Sequence, residues 1–164
     1  MKDKKYKTIT NFLIITLNIL MAIGVIAGAG IIISAAISGV PKVNNSNLIL
    51  NCIIFFIGTA SLIYILYNLK KILKSVLNDG PFTMSNVKCL NKISISCFII
   101  TICYLINFIC NNLFTKFSFI EIDQTGIHTD TEFLIFFFAG LIVVVLAQVY
   151  KQAVEVKEEN DFTI

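Results

Sequence analysis

Four stretches of this 164-residue chain are apolar, about twenty residues long and free of Asp, Glu, Lys and His: residues 12–37, 48–69, 93–114 and 133–150. A helix of roughly 20 residues, rising 1.5 Å per residue, crosses a hydrocarbon core about 30 Å thick. The four runs therefore predict an all-α, polytopic membrane protein: a four-transmembrane-helix bundle forming a single integral domain over residues 1–164. The composition agrees, with 57% apolar and 14% charged residues and a mean hydropathy of +0.85. A soluble domain carries roughly 45–50% apolar and about 25% charged residues. A soluble cytosolic enzyme, a disordered chain and a protein that binds nucleic acid directly are excluded on those grounds.

Lysine placement predicts the threading. All 13 basic residues are Lys and none is Arg, which we read as AT-rich coding. Eleven of the 13 fall in three segments: Lys2, Lys4, Lys5 and Lys7; Lys70, Lys71, Lys74, Lys88 and Lys92; Lys151 and Lys157. The other two connections hold Lys42 and Lys116. The positive-inside bias makes residues 1–11, 70–92 and 151–164 cytoplasmic. Both termini then lie inside, as an even number of spans requires. The basic start also resembles the n-region of a signal peptide. The apolar stretch after it exceeds the 7–15 residues of a cleaved h-region and shows no Ala-x-Ala site, so a retained helix is expected.

The connections differ in character. Gly39, Pro41 and an Asn-Asn-Ser-Asn cluster make 38–47 a plain external turn. The external 115–132 loop holds β-forming residues from Phe117 to Asp123, and Gln124-Thr125-Gly126 can reverse it, which predicts a small β-hairpin. Its carboxylates, Glu121, Asp123, Asp130 and Glu132, lack a calcium-loop spacing and read as a solvated acidic face. After the second span, Ile72, Leu73, Val76 and Leu77 recur at helical spacing opposite Lys70, Lys71 and Lys74. The second helix should therefore extend into the cytosol to about Asn78, roughly 46 Å in all. Asp79-Gly80-Pro81 ends it, and Thr83 or Ser85 caps the next. Leu146, Val149, Ala153 and Val156 share one face, so the fourth helix should also leave the membrane and run to about Glu158. Lys151 and Glu155 make an i, i+4 ion pair. The acidic end that follows can dock on a partner or on the basic 70–92 segment.

Two of these segments resemble a known family. Leu77-Asn78-Asp79-Gly80-Pro81-Phe82-Thr83-Met84-Ser85-Asn86-Val87-Lys88-Cys89-Leu90 is similar to the cytoplasmic motif of the DUF2975 family, a Gly-Pro-Phe-like stretch followed by an Asn and a basic, Leu-containing helix. Leu146-Ala147-Gln148-Val149-Tyr150-Lys151, with the ending Glu158-Glu159-Asn160-Asp161-Phe162-Thr163-Ile164, resembles its C-terminal signature. Gln148 departs from the Glu frequent there, and Lys replaces Arg throughout. The resemblance implies a bacterial plasma-membrane protein of unknown function, often encoded beside a small helix-turn-helix regulator. It marks Gly80, Pro81, Phe82, Asn86, Leu90, Glu158, Asn160, Asp161 and Thr163 as candidate partner-binding residues.

No residue pattern points to catalysis, a cofactor or a metal. The five cysteines, Cys52, Cys89, Cys97, Cys103 and Cys110, form no Cys-x-x-Cys, and the three in the third span, Cys97, Cys103 and Cys110, read as small packing residues. His128 is the only histidine. The polar residues of the spans are uncharged, and the candidates among them are Asn18, Thr59, Ser61, Asn107, Asn111 and Asn112. Proton-coupled export needs an intramembrane carboxylate, and none is present. Gly24 and Gly28 form a Gly-x-x-x-Gly face that serves packing within the bundle or a homodimer seam. The leading expectation is a non-enzymatic regulatory or scaffolding protein embedded in the lipid bilayer and partnering a helix-turn-helix protein. The alternative is a small transporter, a facilitator with a polar path through Asn18 and Asn107, or an immunity-type membrane protein.

Overall fold

The computed structural model describes residues 2–37, 45–78, 80–110, 121–123, 126–128 and 131–161. Four helices dominate it: α1 (Lys2–Ile37), α2 (Asn45–Asn78), α3 (Met84–Cys110) and α4 (Glu132–Asp161). Each is long and apolar enough to cross a membrane. Between α3 and α4, β1 (Glu121–Asp123) pairs antiparallel with β2 (Gly126–His128), Ile122 standing opposite Ile127. Of the turn expected over 38–47, residues 38–44 lie outside the described residues and 45–47 are already helical in α2. The end of the third span at 111–114 with Asn111 and Asn112, and Asp130, also lie outside the described residues.

The helices outrun the apolar stretches at the lysine-bearing end. α1 is already helical at Lys2, α2 continues without a break from the apolar run to Asn78, and α4 reaches Asp161. Lys71 and Lys74 are exposed as the spacing predicts, whereas Lys70 is half-buried like Ile72, Leu73, Val76 and Leu77. Gly80 then takes φ +88°, a left-handed conformation that costs a residue with a Cβ about 1–2 kcal/mol. Thr83 caps α3, its carbonyl accepting from the Asn86 N–H at 3.0 Å and its Oγ1 from the same N–H at 3.4 Å.

Packing follows the order of the chain. α1 lies on α2, α2 on α3 and α3 on α4, and no other pair of helices is in contact among the described residues. The four predicted helices thus stand as a row in chain order, with α1 and α4 at its ends. Neighbours run antiparallel: Gly24 faces Ile63 and Gly28 faces Thr59 across α1 and α2, while Ser94 meets Gly140 and Tyr104 stacks near Phe136 across α3 and α4. α3, with a neighbour on each side, holds most of the core: Val87, Cys89, Ile93, Cys97, Ile100 and Cys103 are buried. Of the third-span cysteines Cys97 and Cys103 are buried as the sequence suggests, Cys110 is half-buried, and Cys52 on α2 is exposed.

α4 buries small residues rather than its large ones. Leu146, Val149 and Val156 are more than half exposed, whereas Gly140, Ala147 and Val154, at i, i+7 and i+14, are buried. Lipid tails are as apolar as leucine, so burying the largest side chains gains little, and small residues win the seam because they let backbones approach. The closest approach is at Gly140, whose carbonyl accepts from Ser94 Oγ at 3.1 Å. A Cβ there would stand 3.0 Å from the Phe98 ring.

Candidate functional site

The α2–α3 turn is where the two motif-bearing segments meet. Gly80 turns the chain, and the Pro81 carbonyl is then left without a helical partner. Two side chains fill that role. Asn86 Nδ2, from the first turn of α3, donates to it at 2.8 Å, and Tyr150 Oη, from α4, donates at 2.6 Å. The Phe82 ring lies against the Tyr150 ring with centroids 5.4 Å apart. Ser75 Oγ and Thr83 Oγ1 are 3.3 Å apart, tying the end of α2 to the cap of α3. One carbonyl thus joins three helices at the lysine-bearing end.

Of the predicted site residues, Pro81, Phe82 and Asn86 come together there, with Gly80 supplying the turn. Asn86 is buried to 1% exposure, and its Oδ1 is buried without a hydrogen-bond partner. Leu90 is half-buried one turn further along α3. Pro81 and Phe82 are exposed. Glu158, Asn160 and Asp161 stand exposed on the last turns of α4, starting about 12 Å along the helix from Tyr150. Val154, at 1% exposure, marks how far α4 is seated; residues 155–161 are all exposed. Lys151 pairs with Glu155 at 3.6 Å, the predicted i, i+4 spacing. Thr163 lies outside the described residues.

Tyr150 is the contact that sequence reasoning missed. It stands in the Leu-Ala-Gln-Val-Tyr-Lys segment, where an aromatic at the membrane exit reads as an interfacial anchor. Nothing in its spacing announces a partner 69 residues away.

A second feature lies further along the same helices. A cavity of about 490 Å³ between α2 and α3, reaching Phe136 of α4, is lined by Asn51, Thr59, Tyr104 and Asn107 among apolar neighbours. Asn18 is exposed on α1 and does not line it. Among the described residues no three His, Cys, Asp or Glu side chains gather as a metal site.

The family model described as "Protein of unknown function (DUF2975)" matches residues 32–164, well over half of the chain. No curated protein and no solved structure matches it.

Proposed function

The chain belongs to the DUF2975 family, and from that membership and the corner at Pro81 we propose a non-enzymatic regulatory protein that docks a soluble partner at the lysine-rich end of its membrane domain. The observation that carries this reading is the shared Pro81 carbonyl. Asn86 of one family-like segment and Tyr150 of the other donate to the same carbonyl, and from that corner the end of α4 projects. In this reading the corner and both termini face the cytosol of a bacterial cell, following the lysine bias, and the β1–β2 ladder lies outside.

The projecting helix end carries Glu155, Glu158, Glu159 and Asp161 against Lys151 and Lys157. A helix-turn-helix regulator presents a basic face to DNA, so an acidic helix end is complementary to it. Holding that face at the membrane would remove the regulator from its operator while this chain touches no DNA. The test is co-purification with a small helix-turn-helix protein from the same cells. The full chain is expected to retain that protein in a salt-sensitive way, and a chain truncated after Val156 to lose it. Equal recovery with both, or none with either, overturns the reading.

The 490 Å³ cavity favours a second reading, a facilitator or an immunity-type protein that receives a membrane-active molecule. Here Asn51, Thr59 and Asn107 offer the polar contacts. Asn107→Leu, assayed for the phenotype of the intact gene, separates the two: the docking function ignores this change and the cavity function does not.

A further inference from the structure

A different face of the α2–α3 pair carries an apolar trough of about 540 Å³, walled by Phe56, Ile57, Ala60, Ile95 and Ile99. It runs for some eight residues of α2, about 12 Å, and has a polar end. Tyr64 of α2 and Lys92 of α3 close it on the side towards the lysine-bearing end of the molecule. Lys88 stands one helical turn from Lys92, and Lys71 two turns from Tyr64, so both fall on the trough's own face, and both are exposed. Between residues 48 and 110 the sequence has five lysines and a single acidic residue, Asp79. Lys92 has no carboxylate partner among the described residues.

An anion from another molecule would complement these lysines at the polar end of the trough. A long lysine stem keeps its ammonium at the water interface while its methylenes cover apolar surface, which places Lys92 where a headgroup sits and the trough where a chain lies. We propose that the α2–α3 trough binds an anionic phospholipid, one acyl chain lying along Phe56, Ala60 and Ile95, with the phosphate held by Lys92 and hydrogen-bonded by Tyr64. Lys88 and Lys71 add attraction without touching the chain. A zwitterionic lipid fits the trough equally well but carries its own cation into the lysine cluster, so selectivity resides in the headgroup and residence in the chain. The site depends neither on the docking reading nor on which way the protein is threaded.

The test uses the full chain in detergent, titrated with phosphatidylglycerol or with phosphatidylcholine of the same acyl chains, counting bound lipids by native mass spectrometry. One phosphatidylglycerol per chain is expected to remain at concentrations where phosphatidylcholine is lost. Lys92→Gln should weaken it about fivefold, and Lys92→Arg should restore it. Ala60→Phe, whose ring fills the trough from an exposed wall position, should weaken phosphatidylglycerol binding with every lysine still present. Lys157→Gln, on the projecting end of α4, should change nothing. Equal retention of the two lipids overturns the proposal. So does an Ala60→Phe variant that binds as the parent does, since charge alone would then suffice, or a Lys157→Gln variant as damaged as Lys92→Gln. Soluble glycerol phosphate binding as tightly as the lipid would remove the acyl chain from the site.

Discussion

At Gly140 the missing side chain is what lets α3 and α4 touch. An added Cβ would meet the Phe98 ring at 3.0–3.1 Å and Cys97 Cβ at 3.3 Å, so Gly140→Leu should cost about 1–3 kcal/mol. Gly30, with nothing within 4 Å of the same construction, is the comparison: Gly30→Ala should be neutral or raise stability by up to about 1 kcal/mol. Thermal melting in micelles reads both. Tyr150→Phe keeps the ring against Phe82 and removes only the hydroxyl, so a loss of about 0.5–1.5 kcal/mol is expected by the same measurement. Gly80 was legible in the sequence, because a Gly-Pro pair ending an amphipathic lysine-edged run has one geometric use. Gly140 was not. It sits in an uncharged stretch where every residue is compatible with lipid, and only the neighbouring helix distinguishes one small residue from another.

Hydropathy marked the four helices because each apolar run has no polar alternative in lipid. The continuation of α2 to Asn78 was readable as well, since beyond Leu69 the lysines restore a contrast between faces. Inside the membrane that contrast disappears, and with it the signal for orientation about the helix axis. Nothing in the Leu146, Val149, Ala153 and Val156 spacing, which predicts that α4 leaves the membrane, tells that Gly140, Ala147 and Val154 form its buried face. The Gly-x-x-x-Gly pattern in α1 identified a close-packing face without identifying what it packs on. Gly24 and Gly28 lie 3.6 and 3.5 Å, measured from an added Cβ, from Ile63 and Thr59 of the same chain. If that is their whole role, then in a chain divided between α1 and α2 and co-expressed, Gly28→Leu should release the α1 fragment from the remainder. The number of copies per particle should stay as it was. A homodimer seam predicts the reverse, a change in copy number with α1 retained.

For the molecule as a whole, the antiparallel neighbours bring the start of α1, the α2–α3 turn and the end of α4 to one end, and eleven of the 13 lysines with them. Cysteines placed at the exposed Ser85 and Lys157, in a chain otherwise free of cysteine, should resist a membrane-impermeant maleimide in intact cells and react once the membrane is opened. Labelling of both in intact cells would invert the threading. The candidate site was legible as two motifs, but not as one corner, because no local pattern records that α4 returns to Pro81. The row of helices has a further consequence for biogenesis. Among the described residues each helix rests only on its neighbours in the sequence, so every interhelical surface is available as soon as the next span leaves the translocation machinery. Contacts between consecutive elements keep contact order low. No first helix has to wait unpaired in the bilayer for a last one to close a ring, and assembly can keep pace with synthesis.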